Sequence, residues 1–445
     1  MIKKAMPGFY LVLCLVLLFS VLPAQDESLF NEELLKFFTY RELGPAVQGS
    51  RILDIEVSPE KPSTFYVSFA TGGLWKTENN GTTFTSLFDH QEAPAIGDVA
   101  IAPSDPNILW VGTGTAASGR LTIKGAGVFK STDGGKTWKY QGLRETRHIG
   151  RVAIHPLNPD IVYVAALGYH FSFNQERGLF KTTDGGATWE KVLYISERIG
   201  AIDLVMDSED QNILYASMWN RVRLRWSDPM PGPGDGIFKT TDGGQTWEQK
   251  TKGLPDTNLT GRIGLDIARS NPKVVYAFID NHNLGRTAGE GERDAYGRLK
   301  EGQQIIGAEV YRSEDKGETW RKVSPSNRMM EGFCGTYGWV FGQIRVDPND
   351  ENTIYIMGVP LAKSTDGGKT FKILYFPGLH GDHHGIWIDP DDSNYVINVN
   401  DGGVNVSYDG GETWRNFHAN HPVVQFYNVA FDMNDPFYVY GSVQD

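Results

Sequence analysis

The sequence has little cysteine and a deficit of basic charge. Only Cys14 and Cys334 occur among 445 residues, and Cys14 lies in an apolar N-terminal stretch, so we expect no disulfide framework. Acidic residues outnumber basic ones by 54 to 42, for a formal net charge of −12. A chain this acidic is not expected to bind nucleic acid or an anionic membrane surface.

Long hydrophobic runs are also scarce. The run from Phe9 to Leu22 follows Lys3 and Lys4 and precedes Pro23-Ala24, which predicts a secretory signal peptide over residues 1–24. Elsewhere no stretch is apolar enough to span a bilayer, so the mature chain is predicted to have no membrane span. With one cysteine left after cleavage, we expect a secreted, periplasmic or cell-surface bacterial protein.

Cofactor motifs are missing as well. We find no phosphate loop, nucleophile elbow, redox cysteine pair or zinc spacing of His and Cys, so no cofactor is predicted. The best metal candidates are Asp382, His383 and His384, with Asp401 as a further ligand. Adjacent histidines of a strand point to opposite faces, which favours a hydrogen-bonded structural role over metal binding.

What the sequence does contain is a repeat with the pattern Ser/Thr-x-Asp-x-Gly-x-Thr-Trp/Phe. A degenerate copy starts at Thr77, and six further copies start at Ser131, Thr182, Thr240, Ser313, Ser364 and Ser407. Each copy ends a unit with a segment of inner-strand type, a turn, a β-branched strand and a third strand. Units of this length and composition are typical of propeller blades.

The repeated turn has a physical interpretation. The carboxylate of Asp133 is suited to accept hydrogen bonds from its own turn, and Gly134-Gly135 supply positive φ angles. Trp138 is suited to bury its ring between layers of strands. We therefore interpret the repeated aspartates as structural and not as acid/base catalysts.

These features predict an all-β fold, a β-propeller of four-stranded blades over residues 41–445. Seven complete repeats are expected, followed by the start of an eighth at Phe426. Residues 25–40 are predicted to form a short helix and linker before the first blade.

The repeats resemble the Asp-box (BNR) repeats of sialidases, of xyloglucanase-type glycoside hydrolases and of sortilin-type receptor propellers. The segments Arg41–Ile52 and Gly381–Asp392 also resemble signatures of large bacterial secreted proteins whose first domain looks like the sortilin N-terminal propeller. The resemblance to xyloglucanases implies a catalytic aspartate in a D-x-G-G segment between the second and third strands. Here those positions are occupied by Ala70 and Asn400, and an aspartate, Asp401, follows Asn400 directly.

A basic residue recurs just before the predicted inner strand of most units. The series reads Arg51, Ala95, His148, Arg198, Arg262, Val340 and His383. Two interpretations stay open: these side chains pair with neighbours to join blades, or they line an electropositive mouth. Flanking loops add aromatic and basic side chains that suit sugars or peptides, namely Trp219, Arg223 and Trp226.

From the sequence we predict a secreted propeller that binds a glycan or an extracellular peptide or protein at this mouth. The first alternative is a glycoside hydrolase that uses two carboxylates from among Asp382, Asp401 and Glu290. The second alternative is a structural module of a larger surface protein.

Overall fold

A computed structural model describes residues 51–442, except for 118–121, 225–227, 295–296, 336, 418–419, 421–422 and 424–425. The predicted signal peptide and the helix predicted over residues 25–40 therefore lie outside the described residues. Within the described part of the chain β-strands dominate. The helical segments there are short: two 3-10 turns at Arg144–Thr146 and Thr257–Leu259, and the helix α1 at Arg328–Glu331. None of them is long and apolar enough to cross a membrane.

The strands form seven four-stranded antiparallel sheets, each built from consecutive strands. Blades 1 to 4 comprise β1 (Ile52–Val57), β2 (Phe65–Phe69), β3 (Gly73–Thr77), β4 (Thr85–Ser86), β5 (Ile96–Ala102), β6 (Asp105–Thr113), β7 (Val128–Ser131), β8 (Lys139–Tyr140), β9 (Ile149–Ile154), β10 (Val162–Ala166), β11 (Gly178–Thr182), β12 (Glu190–Leu193), β13 (Ile199–Met206), β14 (Leu214–Asn220), β15 (Gly236–Thr240) and β16 (Glu248–Lys250). Blades 5 to 7 comprise β17 (Thr260–Ile267), β18 (Val275–Thr287), β19 (Gln303–Ser313), β20 (Arg321–Lys322), β21 (Gln343–Val346), β22 (Ile354–Met357), β23 (Leu361–Ser364), β24 (Lys372–Ile373), β25 (His383–Ile388), β26 (Val396–Asn400), β27 (Gly403–Ser407) and β28 (Arg415–Asn416).

The first strand of each blade lies innermost, and the blades close into a ring. The inner strand β1 packs beside both β5 of the second blade and β25 of the seventh. An apolar cluster forms the closing joint, where Ile52 and Phe69 of the first blade pack with Val399 and Val404 of the last. The prediction of an all-β propeller with seven complete four-stranded blades is confirmed, and the ring closes at seven.

The segment after the seventh blade forms a two-stranded hairpin, β29 (Ala430–Phe431) and β30 (Val439–Tyr440). In its turn the N–H of Asp432 donates to the carbonyl of Tyr438 at 3.1 Å, and an equivalent bond closes the first hairpin of blade 7. The hairpin therefore has the form of the first two strands of a blade.

Each Asp box folds through its own hydrogen bonds. Asp133 accepts bonds from the N–H of Thr137 at 2.9 Å and from its hydroxyl at 2.6 Å, while the hydroxyl of Ser131 accepts from the N–H of Gly135 at 2.9 Å. Hydrogen bonds, foremost that of the Thr137 hydroxyl, lower the pKa of Asp133 to about 2. The same carboxylate bonds recur at Asp184, Asp242, Asp315, Asp366 and Asp409. These carboxylates are committed to their turns, as their structural interpretation requires.

The boxes also tie each blade to the next. The hydroxyl of Tyr163 and the ammonium group of Lys181, both on blade 3, donate to the carbonyl of Gly243 in the box of blade 4 at 2.8 and 2.7 Å. The ammonium group also lies 5.2 Å from the centre of the tyrosine ring. The same pair of hydrogen bonds joins blade 6 to blade 7, where Tyr355 and Lys363 donate to the carbonyl of Gly410. Tyrosine at this strand position thus serves the joint between blades.

The inner strands line a central cavity of about 520 Å³ that is rich in charge. The guanidinium of Arg151 bridges Asp98 at 2.8 Å and Asp203 at 3.1 Å. Asp98 also accepts the N–H of Val152 on the next inner strand at 2.7 Å. This ion-pair cluster therefore links three successive blades from inside the ring.

A further acid, Glu56, lines the same cavity. Burial raises its pKa to about 7, and the neighbouring charge of Asp54 acts in the same direction. The cavity thus contains a carboxyl group that titrates near neutral pH.

Candidate functional site

One end of the ring carries the candidate site. Because the strands of a blade alternate in direction, the residues before the first strand and those between the second and third strands face the same end. The Asp boxes, between the third and fourth strands, face the opposite end. We call the first end the mouth.

The strand register defines one equivalent position at the mouth of every blade. In each blade a second-strand residue pairs with the Ser or Thr that opens the Asp box, as Phe65 does with Thr77. Counting five residues onward from that pair gives one position at the mouth, which lies just beyond the second strand in five blades and within it in blades 4 and 5. Across the ring it holds Ala70, Gly114, Leu167, Trp219, Asp280, Val359 and Asp401. Two of these seven residues are aspartates, one on blade 5 and one on blade 7.

The register also settles how Asn400 and Asp401 correspond to Ala70. The turn of blade 7 is one residue shorter than that of blade 1, since Asn400 pairs with Gly403 while Phe69 pairs with Gly73. Asp401 is therefore level with Ala70. Asn400 is fully buried, and its amide donates to the carbonyl of His380 at 2.9 Å, so it has a structural role.

Asp401 sits in a network of buried charges. Its carboxylate accepts bonds from Arg51 at 3.0 Å and lies 2.7 Å from Nε2 of His384. Burial opposes ionisation of this carboxyl, but the hydrogen bond and charge of His384, followed by the charge of Arg51, hold its pKa well below the usual range. Only 2% of the Asp401 side chain is exposed, so it acts on its two partners and not directly on a ligand.

Asp382, immediately before the inner strand of blade 7, is more open. It is partly exposed, and its carbonyl accepts the N–H of Asp401 at 3.2 Å. Its φ of 60° lies in the left-handed region, which aspartate and asparagine tolerate better than most residues. By register, Asp382 is level with Arg51 of blade 1, and His383 is the first residue of the strand.

Asp280 forms the second acidic position. Its carboxylate lies 2.9 Å from Nε2 of His282, with 11% of the aspartate side chain and 19% of the histidine side chain exposed. Burial lowers the pKa of His282, but the hydrogen bond and charge of Asp280 outweigh burial and raise it above the ordinary value. Sequence inspection missed this pair; counting strand register from the Ser or Thr of the box is the signal that would have found Asp280.

The predicted basic side chains occupy different environments. Arg51 is paired with Asp401, and Arg262 is buried and donates to the carbonyl of Val340. Arg198 is exposed, with its guanidinium 4.4 Å from the centre of the Phe173 ring.

The two predicted histidines are buried and uncharged at neutral pH. Burial lowers the pKa of His148 to about 3 and that of His383 to about 4. His148 stacks on His170 with ring centres 3.6 Å apart, and Nδ1 of His383 lies 2.8 Å from the amide oxygen of Asn398. The structure therefore places these five basic residues separately, each with its own local partner.

The predicted aromatic and basic loop residues lie around blade 4. Trp219, predicted to lie in a loop, is instead a buried residue of the strand β14, and the guanidinium of Arg221 packs 5.6 Å from its ring centre. Arg223 lies 3.3 Å from Asp228 and 5.6 Å from the ring centre of Trp339. Trp226 lies outside the described residues, and Glu290 is exposed on the long hairpin of blade 5.

The three candidate metal ligands are not brought together. His383 contacts Asn398, whereas His384 contacts Asp401 on the other side of the strand. Among the residues that the structure describes, no group of three or more His, Cys, Asp or Glu side chains is arranged to hold a metal ion.

Comparison with known proteins places this geometry in context. The family described as BNR/Asp-box repeat matches residues 129–140. A xyloglucanase from Acetivibrio thermocellus is 23% identical over 356 residues, which cover 71% of this chain and 37% of that protein. A xyloglucanase from Hypocrea jecorina is 23% identical over 376 residues, covering 76% of this chain and 40% of the other. The chain is an Asp-box propeller that resembles the xyloglucanases.

The fold of this Asp-box propeller agrees with a solved structure as well. A GH74 enzyme from Niastella koreensis matches with a TM-score of 0.60 at 18% identity, over 90% of this chain and 59% of that enzyme. The propeller spans less than two thirds of the length of each of these proteins.

These comparisons correct the leading functional prediction. The two curated relatives described above are xyloglucanases, so the prediction of a propeller that binds a glycan or peptide without catalysis is wrong. The glycoside hydrolase, stated above as the first alternative, is the better supported function.

Proposed function

We propose that this propeller is a glycoside hydrolase that acts on a polysaccharide of the xyloglucan or β-glucan class. Its similarity to xyloglucanases over more than two thirds of the chain supports the substrate class. Because residues 1–24 have the pattern of a signal peptide, we further propose that it acts outside the cytoplasm.

The observation that carries the proposal is the presence of two partly exposed carboxylates at one mouth. Asp280 projects from blade 5 and Asp382 from the start of blade 7. Hydrolysis of a glycosidic bond needs one group that protonates the leaving oxygen and one carboxylate that activates water or attacks the anomeric carbon. We assign the acid side to Asp280 with His282, and the base side to Asp382.

Asp401 has a supporting role in this proposal. Its ionised carboxylate holds the guanidinium of Arg51, which is 20% exposed. Arg51 thereby keeps a fixed orientation at the mouth, beside the segment that carries Asp382. By register the pattern of the xyloglucanases expects carboxylates level with Ala70 and Asp401; the first is absent here, and the second is buried against Arg51 and His384.

The test is hydrolysis of xyloglucan and mixed-linkage β-glucan by the purified protein, measured as release of reducing ends. The variants Asp280→Asn and Asp382→Asn are expected to lose about 10²- to 10⁴-fold in kcat/KM. Asparagine adopts the left-handed conformation of residue 382 readily, so that loss is not expected to reflect misfolding. Glu412→Gln, an exposed carboxylate in an Asp box at the opposite end, is the matched control and should retain activity. The proposal would be refuted if the wild-type protein hydrolysed neither polymer. It would also be refuted if Asp280→Asn and Asp382→Asn both kept full activity.

A further inference from the structure

The two histidine–aspartate pairs at the mouth differ in access. Nε2 of His384 lies 2.7 Å from Asp401, and its Nδ1 is buried without a hydrogen-bond partner. Nε2 of His282 lies 2.9 Å from Asp280, but its side chain is 19% exposed. Among the described residues, Nδ1 of His282 has no hydrogen-bond partner either. The blade 5 pair therefore has a ring nitrogen that a ligand at the mouth can reach.

Two glycines fix the geometry of this pair. A Cβ atom added to Gly338 would lie 2.3 Å from the carboxyl carbon of Asp280, and one added to Gly261 would lie 2.8 Å from its Oδ2. The Cβ atom added to Gly261 would also lie 3.3 Å from Nε2 of His282. Backbone from two segments thus lies so close to the carboxylate that neither position has room for a side chain, and the carboxylate lies between these segments and the imidazole. With Nε2 turned toward Asp280, Nδ1 is on the opposite side of the ring.

The surrounding charges favour a protonated ring. Asp280 raises the pKa of His282 in spite of burial. The nearby titratable thiol, Cys334, is buried, and burial raises its pKa so that it stays neutral. Arg262, the neighbouring cation, is committed to a backbone carbonyl. Asp280 is consequently the group that determines the charge of this histidine.

We propose that His282 is the proton donor of the hydrolase, with Asp280 as its positioning residue. This inference rests on the proposed function above. The bond between the anomeric carbon and the leaving oxygen breaks, and the proton on Nδ1 of His282 moves to that oxygen. Water attacks the anomeric carbon and gives its proton to the carboxylate of Asp382. His282 then regains a proton from solvent and Asp382 releases one, which restores both groups.

A donor differs from a structural histidine in its dependence on the leaving group. A 2,4-dinitrophenolate leaves without protonation, whereas a sugar alkoxide does not. We would compare kcat/KM of the wild type and His282→Gln on xyloglucan and on the 2,4-dinitrophenyl glycoside of the oligosaccharide that the wild type releases. We expect a loss of about 10²-fold or more on the polymer, and a change of less than about 3-fold on the activated glycoside. His155→Gln, on the opposite end of the ring, is the matched control and should leave both values unchanged.

Further variants separate this inference from the proposed function. Asp382→Asn should lose activity on both substrates, because attack by water is needed in either case. An equal loss on both substrates for His282→Gln would overturn the donor role while leaving the hydrolase intact. The same selective loss in His384→Gln would also overturn it, because the buried pair cannot reach a substrate. A wild type that cleaves neither substrate would refute the hydrolase itself and the donor with it.

Discussion

Replacing Glu56 by glutamine is predicted to make the protein more stable at alkaline pH. Glu56 lines the central cavity, and its pKa rises from 4.5 to about 7, chiefly by burial and further through Asp54. A folded-state pKa above the unfolded value means that the folded protein binds the proton more tightly. The contribution of Glu56 to stability is therefore complete below pH 4.5 and is lost as the pH rises through 7.

The size of this effect follows from the two pKa values. The difference between 4.5 and about 7 corresponds to about 3–4 kcal/mol at about 1.4 kcal/mol per pKa unit. Because the cavity admits water around a partly exposed side chain, this value is an upper bound. Glutamine resembles the protonated acid in shape and polarity, so Glu56→Gln should remove the penalty above pH 7 and change little near pH 4.5.

Urea unfolding followed by tryptophan fluorescence at pH 5, 6, 7 and 8 provides the assay. The quantity of interest is the difference in free energy of unfolding between variant and wild type, which should grow with pH and level off above 7. Glu60→Gln, in the exposed turn after the same strand, is the control and should show no such growth. A difference that is constant with pH, or that favours the wild type at pH 8, would show that Glu56 is ionised without cost in the folded protein.

The remaining predictions concern the joints between blades. Arg151→Met leaves the carboxylates of Asp98 and Asp203 without their shared cation, so the free energy of unfolding at pH 7 should fall by about 3–5 kcal/mol; a value within 1 kcal/mol of wild type, about the worth of one ordinary hydrogen bond, would contradict this. Tyr163→Phe removes the bond to the carbonyl of Gly243 and should cost about 1 kcal/mol in the same urea experiment, whereas an unchanged midpoint would show that the Lys181 bond to that carbonyl is sufficient alone.

Short-range chemistry made the fold predictable from sequence. The bonds of Asp133 within its turn span four residues or fewer, so the repeated pattern marks every blade without knowledge of its neighbours. The mouth is different, because it also contains contacts between residues that are distant in sequence. Arg51 meets its partner Asp401 across 350 positions, and nothing local to Arg51 indicates that its charge is neutralised.

Burial explains why the two histidines of the basic series do not contribute positive charge to the mouth. His148 precedes its inner strand as predicted, whereas His383 is the first residue of its strand, and each ring is enclosed and uncharged. Asp280 went unnoticed because the long hairpin of blade 5 obscures its equivalence to Ala70 and Asp401, which only the pairing of Val275 with Ser313 reveals. Position along a strand was thus predictable for His148 but not for His383 or Asp280, and charge state and partner were predictable for none of them.

The hydrogen bonds from Tyr163 and Lys181 to the Asp box of the next blade bear on which residues of the ring can be substituted. These ties and the boxes they hold lie at one end, while the candidate catalytic groups lie at the other. Substitutions at mouth positions that make no contact between blades therefore leave these ties intact. A ring of this construction can vary the side chains at the level of Ala70 and Asp401 from blade to blade, because the residues that shape each Asp-box turn lie at the other end of the strands.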